Sequence, residues 1–218
     1  PARARGGRTR PPAIRAQAPD DSDGDTVPDA LEARLGLAPG DPETTDGRPD
    51  WWGLPGHLRY ERREGIAGSK LADLLDSPAF RGTATVRGFV AQAGQDQGIG
   101  DNYGVRLRGT VAAPAAGDYR FHIASDDQGQ LRPGTTVPGS PCPASSKFSR
   151  RLAARVDGYT GCRAWTAPAA RAGPVVALAR GETIHIEVVM KESNGLDNLS
   201  AGRTRPHIDG LADTATPG

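Results

Sequence analysis

Aromatic residues make up only 5% of this 218-residue chain, which also holds one methionine, two cysteines and three lysines beside 24 arginines. Two cysteines exclude a disulfide-dense mini-scaffold, and the lack of a CxxC pair or a nearby histidine argues against zinc. No apolar run approaches the roughly 20 residues of a helical membrane span; Val175 to Ala179 is among the longest. No GxSxG, HExxH, Walker or GxGxxG context is present, so nothing marks a common enzyme. The preference for arginine over lysine runs through the whole chain and implies no nucleic-acid partner. Glycine and proline, by contrast, are abundant: 29 and 19 residues, nearly twice the usual share of roughly 12%. That composition favours a turn-rich β protein, long enough to bury a real core.

The formal net charge of +1 conceals a strong asymmetry. Residues 1–19 carry five arginines and no acid, whereas residues 20–50 carry ten acids against Arg34 and Arg48. The chain starts at Pro1 with no apolar signal core, and reads as a processed product or an excised fragment. Four segments follow: an extended Arg/Pro arm at 1–19, an acidic module with a short helix at 20–50, a β domain at 51–210 and a tail at 211–218. The arm has no periodic apolar pattern with which to order itself.

In the β domain, apolar residues alternate: Val86, Val90; Val105, Leu107, Val111; Tyr119, Phe121, Ile123; Ile184, Ile186, Val188, Met190. Period two predicts half-buried antiparallel strands. Turn clusters at 114–118, 132–143 and 193–198 separate them, and Ser69 to Leu75 predicts one short helix with Ser69 as N-cap. The fold class expected is all-β, an antiparallel sandwich or barrel.

The acidic module has finer structure. Asp21, Asp23, Asp25, Asp29 and Glu32 occupy positions 1, 3, 5, 9 and 12 of a 12-residue stretch, with Val27 at position 7. This is the spacing by which alternating acids, a backbone carbonyl and a bidentate glutamate wrap Ca²⁺. An EF-hand places glycine at position 6, where this chain has Thr26; Gly24 lies two residues earlier. The run Asp20 to about Asp46, with Gly36-Leu37 and Asp41-Pro42, resembles thrombospondin type 3 repeats, which implies a structural calcium loop.

Three phrases of the β domain carry a second resemblance: Gly100-Asp101-Asn102-Tyr103-Gly104, Gly117-Asp118-Tyr119 through Asp126-Asp127, and Lys191-Glu192-Ser193-Asn194-Gly195-Leu196-Asp197-Asn198-Leu199. In order and spacing they are similar to a PA14 domain over about 58–202. Independently of any family, Asp126-Asp127 ends one strand and the 193–198 loop follows another. Adjacent carboxylates repel, and a hard cation with oxygen ligands from Asp126, Asp127, Asn194, Asp197 or Asn198 relieves that; the same side chains also cap turns. The resemblance implies that the Asp pair holds Ca²⁺, which in turn coordinates sugar hydroxyls, with Asn194 and Asp197 beside it. Tyr103 and Tyr159 are the candidate stacking platforms. His185 and Glu187 share a strand face, expected to be an exposed polar one.

The functional expectation is a non-enzymatic, secreted or cell-surface, calcium-binding module that recognises carbohydrate or another surface ligand. A polymer built through residues 1–19 and an accessory domain of a larger glycosidase are the rival expectations. In an oxidising compartment Cys142 and Cys162 are expected to form a disulfide, worth about 3 kcal/mol by loop closure; two unlinked thiols are the alternative.

Overall fold

The computed structural model describes residues 20–25, 27–43, 49–54, 56–134, 154–204 and 216–217. The alternating segments become strands β2 (Val86–Val90), β4 (Tyr103–Ala112), β5 (Gly117–Asp126) and β10 (Thr183–Glu192). Between and around them run β1 (Leu58–Arg63), β3 (Gly94–Gln95), β6 (Gly129–Gly134), β7 (Ala154–Val156), β8 (Ala170–Ala172), β9 (Val176–Leu178), β11 (Asn198–Thr204) and β12 (Thr216–Pro217). Among the described residues these strands make a seven-stranded sheet, β2-β1-β4-β10-β6-β7-β8, and a second sheet, β12-β11-β5-β9, with β3 pairing on β11. All of these pairings are antiparallel. Tyr60, Val105, Leu107, Val188 and Met190 from one sheet and Phe121, Ile123 and Leu199 from the other fill the core between them. The all-β antiparallel sandwich expected from the alternation is what the chain forms.

Two features depart from simple alternation. β10 is buried on both faces, because short helices cover its outer side: α2 (Leu71–Leu75) packs Leu74 against Ile66 and Val189, with α3 (Pro78–Arg81) beside it. α2 starts after Ser69, with Lys70 at the N-cap and the Lys70 N–H donating to the Asp73 carboxylate. His185 and Glu187 are consequently buried rather than exposed; Glu187 pairs with Arg106, and His185 Nδ1 lies 2.9 Å from Thr110 Oγ1. Within the expected turn at 132–143, β6 runs on to Gly134.

The acidic segment forms a loop followed by α1 (Asp29–Leu35), which ends on Gly36 in the left-handed region. Val27, fully buried, packs with Trp51 and Leu54. Trp51, in a 3-10 turn at Asp50–Gly53, is flanked by the guanidinium groups of Arg59 at 4.9 Å and Arg108 at 4.7 Å, on β1 and β4. Stacking of this kind fixes an aromatic on a charged strand face, and here it seats the acidic loop on the seven-stranded sheet. Residues 1–19 and Cys142 lie outside the described residues, so the arm and the expected disulfide do too; Cys162 is exposed, with its Sγ 3.6 Å from Ser200 Oγ.

Candidate functional site

The chain switches sheets twice at one end of the sandwich. β5 passes into β6 through Asp127-Gln128, and β10 passes into β11 through 193–197, so both connections leave one sheet for the other side by side. Backbone bonds knit them together: Asp127 N–H donates to Lys191 O at 3.0 Å, and Lys191 N–H donates to Gln128 O at 2.9 Å. The register places Asn198 opposite Asp126. The Asp126–Asp127 peptide is cis. Asp126, Asp127, Asp197 and Asn198 therefore meet at this corner, while Asn194 sits exposed on the loop.

Their chemical situations differ. Asp197 is buried and already spent: its oxygens accept from the amides of Gly98, Ile99 at 2.7 Å and Gly100 at 3.1 Å, and from the Tyr103 hydroxyl at 2.9 Å. Tyr103 is thereby fully buried and is no stacking platform, whereas Tyr159 is 71% exposed and Leu196 in the loop is 80% exposed. Asp127 accepts from the Ser193 amide at 3.0 Å through Oδ2. Asn198 donates to Thr160 O at 2.8 Å, and its Oδ1 is buried without a hydrogen-bond partner. Burial raises the affinity of both Asp126 and Asp127 for a proton, with Asp127 adding to the effect on Asp126.

Sequence reasoning missed Glu192. It is fully buried and neither carboxylate oxygen has a hydrogen-bond partner. Burial, then the charges of Asp127, Asp126 and Asp197, push its carboxyl up to about 8. Its signal lay in plain view, in the Lys191-Glu192 pair closing β10, but strand alternation gives no way to see that both side chains, on opposite faces of β10, are buried. Lys191 is also fully buried and its Nζ donates to Glu192 O. The corner thus gathers four carboxylates, those of Asp126, Asp127, Asp197 and Glu192, near one buried ammonium, Lys191, whose charge acts on Asp127 and Glu192, and it leaves both Glu192 oxygens and Asn198 Oδ1 without donors; oxygen ligands in excess of donors suit a hard cation.

The N-terminal loop is a second acidic centre. Gly24, φ 77°, supplies the left-handed residue at loop position 4. Asp21 Oδ1 accepts from Gly24 N–H, Asp23 Oδ1 from Asp25 N–H and Asp25 Oδ1 from Val27 N–H, at 2.9, 2.9 and 2.6 Å. Asp23 and Asp25 each keep a second, buried oxygen without a partner. Asp21, Asp23 and Asp25 have ligand atoms within 4.8 Å of one another, and so do Asp25, Glu32 and Asp50. Among the described residues these are the groups of three such side chains that lie this close. Asp29 belongs to neither; it accepts from Ser22 N–H at 2.8 Å and Ser22 Oγ at 2.6 Å, which holds its carboxyl below the usual range. Burial first, then the neighbouring acids, push Asp25 up to about 6 and Glu32 to about 7.

The two packed sheets, with the acidic corner at one end, form a PA14-like β-sandwich. Its likeness to solved structures is one of fold. The PA14 domain of the MpAFP antifreeze protein matches at TM-score 0.53 and 14% identity, over 78% of this chain and 89% of that one. The A domain of epithelial adhesin 9 from Candida glabrata, solved with Galβ1-3GlcNAc, matches at 0.50 and 13%, over 76% and 91%. An anti-sigma factor domain-containing protein from Clostridium clariflavum matches at 0.48 and 15%, over 77% of this chain; the chain spans about half that protein's length, 48%. No protein-family model matches the chain, and no curated protein sequence does.

Proposed function

We propose that the protein is a non-enzymatic, exported binding module that recognises carbohydrate on a surface through a Ca²⁺ held at the Asp126–Asp127 corner. The observation that carries this reading is the excess of acceptors there: the adjacent Asp126 and Asp127 beside a buried, unpartnered Asn198 Oδ1. Buried oxygens without donors are costly unless a cation is shared among them. Asp126, Asp127 and Asn198 are the residues that would hold the ion, with Asn194 at the rim. Bound there, Ca²⁺ supplies coordination positions for vicinal sugar hydroxyls. Asp197 acts differently, positioning the 98–100 backbone beside the corner. The exposed Tyr159 and Leu196 offer apolar contact for a ring face, and the structure of the adhesin 9 A domain with a disaccharide supports a sugar as the ligand class.

The test is calorimetry against a glycan panel in calcium and in EDTA. Binding to at least one glycan in calcium alone, abolished by Asp126→Asn and weakened by Tyr159→Ala, is the expected outcome. Binding that persists in EDTA, or that Asp126→Asn leaves unchanged, refutes the reading.

A further inference from the structure

We propose that Asp50, outside the 12-residue loop, takes the ligand position that Asp29 would fill, so that a cation bound by Asp25, Glu32 and Asp50 clamps the loop to the β domain. This rests on the reading that the loop binds a divalent cation. Asp25, Glu32 and Asp50 are all buried, and their ligand oxygens lie within 4.8 Å of one another. Glu32 points independently to a ligand: it is fully buried and neither of its oxygens has a hydrogen-bond partner. Asp25 Oδ2 is buried and unpartnered beside it. Three carboxylates at such a distance, out of water, repel unless a cation lies among them.

Asp29 is otherwise engaged, closing the loop on Ser22 through both carboxylate oxygens. Asp50 is held from the other side. Its N–H donates to Pro42 O at 3.0 Å, and the next residue, Trp51, packs on Val27 and Leu54 between Arg59 and Arg108. Arg59 also donates to the backbone carbonyl of Asp25 at 3.0 Å. A cation ligated by Asp25 and Glu32 on the loop side and Asp50 on the domain side therefore ties the two together. All-oxygen, all-carboxylate ligation selects a hard ion such as Ca²⁺.

Hydrogen exchange of the full chain, titrated with CaCl₂ from EDTA, tests the clamp. Calcium is expected to slow exchange at 20–37 and at 50–54 in the wild type and in Asp29→Asn, with half-saturation raised about tenfold or more in Asp50→Asn. Glu32→Gln guards against misfolding. It is expected to lose the calcium response while protecting the loop at least as well as the wild type in EDTA, since it removes a buried charge. An Asp50→Asn chain that saturates like the wild type, or a Glu32→Gln chain that keeps the full response, overturns the clamp and leaves a loop site standing. A wild type with no calcium-dependent protection at 20–37 overturns the loop reading itself, and the clamp with it.

Discussion

Asp197 and Glu192 are buried carboxylates a few residues apart with opposite fates. The first is satisfied by three amides and a phenol, so Asp197→Ala leaves several donors without acceptors and is expected to cost about 3 kcal/mol in urea unfolding. A change under a few tenths of a kcal/mol would mean that the 98–100 turn does not depend on it. Glu192 has no donor, and its protonated form is the one the fold accepts, with a folded-state value of about 8 against an ordinary 4.5. Its contribution is therefore complete below the unfolded value and is lost as pH rises through the folded one. Asp25 and Glu32, raised to about 6 and 7, act with the same sign. In calcium-free buffer the melting temperature should fall between about pH 5 and 9, and Glu192→Gln should flatten the upper part of that fall. A melting temperature that rises across this window contradicts the assignment.

The elements that build the corner are two strand-to-strand passages, and their tightness depends on a glycine. A Cβ on Gly129 would lie 2.6 Å from Ser125 Oγ and 3.0 Å from Ile123 Cδ1. Ser125 in turn donates through Oγ to Asp127 O at 2.7 Å and exchanges bonds with Thr160, whose carbonyl holds Asn198. Gly129→Ala should destabilise the chain by about 1–3 kcal/mol, and weaken calcium binding more than a substitution at an exposed turn glycine away from the corner, such as Gly181, does. Equal effects of the two changes on calcium affinity would show that the packing at Gly129 does not shape the site. How far this was legible from sequence depends on the kind of signal. β4, β5 and β10 announced themselves through alternation, and the Asp pair through its phrase. β1 was not seen, because its charged residues (Arg59, Glu61, Arg62, Arg63) mask the pattern; they are buried or half-buried as paired or stacked charges, Glu61 with Arg108, Arg59 on Trp51, Arg62 on Tyr103 and Arg63 on Phe80. Asp50 was counted only as an acid at the end of an acidic run, since nothing local says that a residue 18 positions after Glu32 returns to it.

At the scale of the whole molecule, acidic side chains gather in two places: among the N-terminal acids, where carboxylate oxygens lie within 4.8 Å of one another, and at the sheet-switching corner, where the half-buried Asp126 and Asp127 are adjacent. In each place buried oxygens lack donors, those of Asp25 and Glu32 in the loop and those of Glu192 and Asn198 at the corner, an arrangement that is costly without a cation and stabilised by one. Val27, Trp51 and Leu54 join the loop to the seven-stranded sheet, so the acidic segment that looked like a separate module by charge is packed against the β domain. In the proposed function the Asp126–Asp127 corner is the calcium centre through which the module binds. That assignment is tested most directly by a crystal structure grown in calcium, with anomalous scattering used to locate the ion. A peak about 2.3–2.6 Å from oxygens of Asp126, Asp127 and Asn198 is expected. Ordered density for that corner with no peak, under conditions where calcium is seen elsewhere in the chain, would contradict the assignment.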